Sequence, residues 1–232
     1  MRDWGYRMVQ LTLLAIMSFL IGCTSFLDTE EVDQSKLQRE AVLPDPAISE
    51  QFCPIVESGQ NAAVALPPIE GRGGCGHPAP FLLSTISGPQ PVKLSREATV
   101  NCVILSQLNR FFNDRVQPLA QSYMDQRVTG IRVAASYSCR SRNNKRGAKL
   151  SEHAKTNAID ISGLTLSDGT VLDVEDDWPG YGSKGRFMRA FNREACKYFT
   201  TVIGPGGDKY HKNHIHLDHA KHGRKGTWRL CQ

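Results

Sequence analysis

The sequence has no CxxC pair, no internal repeat, no βαβ alternation and no apolar run long enough to cross a bilayer comfortably. These absences exclude a cysteine zinc ribbon, a thioredoxin-like redox site, a repeat array and a membrane-embedded fold. Charge of one sign is also scarce. The formal net charge is +5 over 232 residues, a mild basic bias that suits an anionic polymer and falls far short of a nucleic-acid patch. A hydrophobic content of 40% is that of a globular chain, with room for one domain of ordinary size and extra terminal segments.

At the N-terminus, Arg2 and Arg7 precede an apolar run from Val9 to Ile21, built like the core of a signal peptide. It ends in Leu20-Ile21-Gly22-Cys23, which resembles the lipobox of bacterial lipoproteins. That resemblance implies removal of residues 1–22 as a signal peptide and lipidation of Cys23. The mature chain is then exported and held by its lipid at the periplasmic face of a membrane. Thr24, where an Asp would favour the inner membrane, points to the outer membrane of a Gram-negative cell. Removing residues 1–22 takes away Arg2, Arg7 and Asp3 and leaves a charge of about +4.

Cysteine arithmetic agrees with this reading. Seven cysteines are odd for an exported chain. Assigning Cys23 to the lipid leaves Cys53, Cys75, Cys102, Cys139, Cys196 and Cys231, an even set for an oxidising compartment and up to three disulfides. The spacing leaves their pairing open.

Residues 23–50 are polar and acidic without apolar periodicity and read as a flexible tether. Residues 51–232 read as the domain. Its first part, to about residue 95, is rich in glycine and proline and predicts turns and short strands stapled by Cys53 and Cys75. From Arg96 to about Met124 apolar residues recur three or four apart (Val100, Ile104, Leu108, Phe111, Phe112, Val116, Leu119), which predicts a helix capped by Ser95 and ended or kinked by Pro118. Ile131–Tyr137 and Ala158–Ser162 read as strands, and Asp168-Gly169 as a hairpin turn into Thr170-Val171-Leu172. Phe187, Phe191, Ala195 and Phe199 mark a second helix, followed by short strands at Thr201–Ile203 and His214–Leu217. The order predicts an α+β fold, a small antiparallel sheet with flanking helices.

The chemistry is carried by a few residues. Zinc takes nitrogen and oxygen ligands, and a catalytic site keeps three protein ligands and one open position. In Ala158-Ile159-Asp160-Ile161 and His214-Ile215-His216-Leu217 the polar and apolar residues alternate, so two adjacent strands would turn Asp160 and His216 to one face and the isoleucines and Leu217 to the core. His153, seven residues before Asp160, would reach back over the metal.

Ser151-Glu152-His153-Ala154-Lys155-Thr156-Asn157-Ala158-Ile159-Asp160-Ile161 resembles the SxHxxGxAxDI signature of the LAS metallopeptidases. That superfamily takes in D-alanyl-D-alanine carboxypeptidases, murein endopeptidases, lysostaphin-type enzymes and the hedgehog signalling domain. The segment from about Cys53 to Cys231 more closely resembles the bacterial extensin-like C-terminal family. Ser136-Tyr137-Ser138-Cys139-Arg140 and Ile203-Gly204-Pro205-Gly206-Gly207-Asp208, running into His211-Lys212-Asn213-His214-Ile215-His216, carry this likeness. The resemblance implies a LAS-type core with His153, Asp160 and His216 as ligands of a zinc ion (Zn2+). Asn157 is read in the place of the usual Gly, as a residue that tolerates a left-handed backbone.

A glutamate base stands three residues before the last zinc histidine in the dipeptidase branch; here that position is Asn213. The proton work falls to His214 or His211, whose HxxHxH spacing matches the murein endopeptidase branch. Arg140, with Arg142 as its rival, is the candidate for holding a substrate carbonyl or carboxylate. Asp218 is a candidate partner fixing a histidine tautomer, and His219 and His222 read as surface residues. The expected activity is zinc-dependent hydrolysis of peptide bonds in peptidoglycan stem peptides or cross-links by a monomer that binds no nucleic acid. The alternatives are D-Ala-D-Ala carboxypeptidase activity and a non-catalytic, zinc-containing peptidoglycan-binding lipoprotein.

Overall fold

The computed structural model describes residues 53–57 and 61–232. The expected signal peptide, Cys23 and the whole of the expected tether lie outside the described residues. Among the described residues, no helix is long and apolar enough to cross a membrane.

Strand β7, Ala158–Leu166, organises the sheet because almost every residue of it is buried. It pairs on one side with β6 (Val128–Ala135), and on the other with β10 (Ile215–Asp218) and β8 (Val171–Asp173), all antiparallel. The sheet extends beyond β6 through β5 (Val92–Val100), β4 (Phe81–Ile86) and β1 (Asn61–Ala65), and beyond β10 through β9 (Thr201–Ile203) and β11 (Leu230–Cys231). It has nine strands, larger than the small sheet expected, and only β5–β6 and β9–β11 are parallel pairs. A separate ribbon pairs β2 (Ile69–Glu70) with β3 (Gly76–His77).

The helices are α1 (Pro54–Glu57), α2 (Cys102–Phe111), α3 (Gln117–Met124), α4 (Val174–Asp177) and α5 (Ser183–Ala195). Phe111, Phe112, Phe187, Phe191 and Phe199 form one buried cluster with the apolar side chains of the strands, Ile159, Ile161, Ile215 and Leu217 among them. Fully burying each such side chain contributes about 1.5–3 kcal/mol. The mixed α and β content and the mostly antiparallel sheet agree with the α+β expectation.

The expected helix start is corrected. Residues 96–100 belong to β5, where Val92, Ala98 and Val100 are buried against neighbouring strands. The cap is Asn101, not Ser95: its side chain accepts the Ile104 N–H at 3.0 Å. Pairing of β5 with β4 and β6 overrides the helical period, whose first member, Val100, is the last residue of the strand. Pro118 neither ends nor breaks the helix. A π-helical turn over Phe112–Val116 precedes it, and the wider turn accommodates a ring that cannot donate.

Three disulfides join Cys53 to Cys102, Cys75 to Cys139 and Cys196 to Cys231. The first ties the domain's start to α2, and the last ties the end of α5 to β11. The Cys75–Cys139 bridge fastens the segment before β3 to the residue beside Arg140.

Candidate metal centre

Strand register brings the centre together. Asp160 and His216 are direct cross-strand partners, flanked by the buried pairs Ile161–Ile215 and Ile159–Leu217. Alternation therefore sends the four apolar side chains to the core and the two polar ones to the opposite face. His153 arrives from a 3-10 turn, Glu152–Lys155, capped by Ser151, whose hydroxyl accepts the His153 N–H at 3.4 Å.

Asp160 Oδ1 lies 2.8 Å from His216 Nδ1, Asp160 Oδ2 lies 3.1 Å from His153 Nε2, and the two histidine nitrogens are 3.2 Å apart. All three residues are buried. The far nitrogen of each ring is already committed. His153 Nδ1 faces the Ser136 carbonyl at 2.7 Å, and His216 Nε2 faces Asp218 Oδ2 at 3.0 Å. Both partners only accept, so both ring nitrogens donate. The neutral rings then present bare lone pairs at Nε2 of His153 and Nδ1 of His216, beside a carboxylate. Three acceptors so close require positive charge among them, either protons or a metal ion.

The donor set suits zinc. Two imidazoles and one carboxylate are borderline ligands of the kind zinc takes. Ligand atoms about 2.0–2.1 Å from a tetrahedral zinc stand about 3.3 Å apart, close to the observed separations. His153 and His216 each have an outer acceptor that fixes the tautomer, as metal-binding histidines generally do. Among the described residues these three form the one group of histidines, cysteines and carboxylates that converges in this way.

Electrostatics follow from the same contacts. Burial penalises the Asp160 carboxylate, yet the hydrogen bonds and charges of His153 and His216 outweigh it and hold the carboxyl far below its usual range. Burial likewise opposes charge on His216, but its bonds to Asp160 and Asp218 push it up to about 9. His214 goes the other way. Burial lowers it below the ordinary histidine value, only partly offset by Asp160, so it is neutral at pH 7.

The centre lies in a cleft of about 340 Å³ whose walls carry all the expected site residues of the domain. His214 Nε2 stands 3.7 Å from Asp160 Oδ2, and its Nδ1 bonds Asn213 Oδ1 at 2.8 Å. His211 is buried, its ring 5.1 Å from that of His214 and 5.8 Å from that of His216. Arg140 is half-buried on the wall, and its side chain makes no hydrogen bond or ion pair to any described residue. Arg142 also lines the cleft and is exposed. The lipidation residue Cys23 lies outside the described residues.

A family model for the extensin-like protein C-terminus matches residues 53–232, most of the chain. The chain belongs to that family. No curated protein and no solved structure matches it. The extensin-like match begins at Cys53 and therefore encloses all three disulfides and the whole cleft.

Two expectations for this extensin-like domain are corrected by the structure. The left-handed residue is Thr156 (φ 54), not Asn157, and counting SxHxxGxAxDI from Ser151 also puts the Gly position on Thr156. Asn157 instead ties the His153 turn to the cap of α2. Its amide donates to Glu152 Oε2 at 2.7 Å, and its oxygen accepts from Asn101 Nδ2 at 3.0 Å. His222 is no plain surface residue. It lines the cleft, with Nε2 2.7 Å from the Thr201 hydroxyl.

Asp208 is a site residue that the sequence does not single out. Its Oδ1 lies 2.7 Å from His211 Nδ1, and it also accepts the Tyr210 N–H at 2.7 Å. Burial works against that carboxylate, but the bonds from His211 and Tyr210 keep it below its usual range. The three-residue spacing Asp208…His211 is the available signal, weak because a loop position says little about side-chain direction.

Proposed function

We propose that the domain is a zinc-dependent peptidase that hydrolyses peptide bonds in peptidoglycan stem peptides or cross-links, carried on an exported chain lipidated at Cys23. The observation that carries this reading is the convergence of His153 Nε2, Asp160 and His216 Nδ1 within about 3 Å at the floor of an open cleft. The SxHxxGxAxDI likeness adds the LAS peptidase core as part of the proposal. His153, Asp160 and His216 would hold the zinc, which would supply a Lewis acid for the scissile carbonyl and lower the pKa of its water toward about 7.

The chain's own residues then divide the remaining work. Asn213 is an amide and takes no proton at neutral pH. His211 is the better base: Asp208 accepts from its Nδ1, leaves Nε2 free to take a proton, and stabilises the imidazolium that forms. His214 is held neutral by burial and suits donation or polarisation beside the scissile bond more than storage of a proton. Arg140 offers a planar guanidinium with no internal partner to a substrate carbonyl or carboxylate. The cleft also supports a catalytic role over a purely structural metal, because open walls bearing two further histidines lead to the centre.

The test combines metal analysis of the purified protein with mass spectrometry of digested wall sacculi. About one zinc per chain and released stem peptides are expected, both lost in His153→Ala. Release of terminal D-alanine alone would redirect the proposal to carboxypeptidase activity; full activity in His153→Ala would overturn it.

A further inference from the structure

The mouth of the cleft carries a cationic rim that the metal chemistry does not use. Between Asp125 and Glu152 the chain has no acidic residue, and Arg140, Arg142, Lys145, Arg146 and Lys149 all fall in the last part of that stretch. This segment is a built loop. Ser141 and Leu150 form a β-bridge, the Arg142 N–H donates to the Lys149 carbonyl at 2.9 Å, and the Ser141 hydroxyl donates to the Lys145 carbonyl at 2.7 Å. Asn143 and Asn144 both take the left-handed turn (φ 54), a conformation asparagine tolerates better than most residues.

A second loop meets it across the mouth. Lys145 and Lys209 both sit over the ring of Tyr210, at 5.3 and 5.4 Å from its centroid. The two ammonium groups are therefore about 11 Å apart at most. The ring face offsets part of their repulsion. No carboxylate does so: among the described residues neither lysine has an ion pair, nor do Arg140 and Arg142. The carboxylates of the cleft are engaged elsewhere, Glu152 by Lys155, Asp208 by His211, and Asp160 and Asp218 by the central histidines.

We propose that Arg142, Lys145 and Lys209 form an oxyanion-binding subsite that seats carboxylate or phosphate groups of an anionic polymer lying along the cleft. Guanidinium forks grip such groups in two bonds, and paired lysines add point charge. The subsite goes beyond hydrolysis at the metal centre, because it selects a chain by its charge through residues that take no part in that hydrolysis.

The experiment is fluorescence anisotropy on the full chain with labelled oligoglutamate and labelled polyphosphate, at salt below about 0.1 M, where such contacts are least screened. Lys145→Gln/Lys209→Gln is compared with Lys93→Gln/Arg186→Gln, which removes the same charge from exposed positions on β5 and α5. The rim variant is expected to bind about tenfold more weakly and the control within about twofold of the parent. Binding of glutamate alone assigns carboxylates, and binding of polyphosphate alone assigns phosphates. Equal weakening in both variants, or no binding by the parent, overturns the subsite. Zinc content of the same samples is expected to be unchanged by the rim substitutions, so a failure here is read separately from a failure of the metal reading.

Discussion

Asp160 Oδ1 and His216 Nδ1 meet at 2.8 Å because the two residues are opposite one another in β7 and β10. The centre is thus a property of the sheet register. A slip of β10 by one residue would turn His216 into the core and set Ile215 or Leu217 beside Asp160.

Removing either partner should therefore empty the site without unfolding the domain. Asp160→Asn and His216→Ala are each expected to lose bound zinc in metal analysis. In the parent, zinc at about 100 times its dissociation constant should add about 2.7 kcal/mol of stability. That increment, read as a rise in melting temperature, is expected to vanish in both variants.

Protons and metal compete for the same lone pair. In the metal-free protein His216 is raised from 6.5 to about 9. A raised folded value gives stabilisation that is full below about pH 6.5 and lost as pH climbs through about 9. Asp160 is depressed, so its contribution is present above its unfolded value of about 3.9 and lost as pH falls toward its folded one. Metal-free protein should accordingly be most stable between about pH 4 and 6.5, and its melting temperature should fall toward pH 9. Zinc affinity, measured by calorimetry, should rise about tenfold per pH unit up to about 9. Asp218→Asn removes one of the bonds that raise His216 and should flatten both trends.

The Asp208–His211 pair gives a kinetic test of the base. His211→Ala is expected to lower kcat by about 10²–10⁴ with zinc retained. Asp208→Asn should keep the metal and lower kcat less, because His211 loses the carboxylate that holds its Nδ1 proton and orients the ring. A kcat unchanged in Asp208→Asn would remove that residue from the mechanism.

Much of this centre is legible without the fold. The alternation around Asp160 and His216 specifies which side chains share a face, and a strand pair needs little else to build the site. The helix start is not legible, because Val100 ends β5 at a spacing that also fits the stripe of α2. Asp208, Thr201 and His222 are out of reach as well. Their positions depend on loops and on β9, whose side-chain directions come from tertiary contacts.

Thr156 offers a test of the backbone. It is a β-branched residue in a left-handed conformation (φ 54), fully buried, and its hydroxyl has no partner among the described residues. Holding such a residue there costs about 1–2 kcal/mol, which glycine would not incur. Thr156→Gly is expected to raise stability by about 1 kcal/mol in denaturant titration, less any loss from the small cavity left behind.

The Cys75–Cys139 bridge bears on how the protein must be prepared. It anchors the residue next to Arg140, while His153, Asp160 and His216 sit on a 3-10 turn and two strands that carry no cysteine. Protein made in a reducing cytoplasm is therefore expected to load zinc yet hold its arginine loosely, and to look inactive for want of an oxidant. Only oxidised material, folded in a periplasm or refolded with a redox couple, would provide a fair assay.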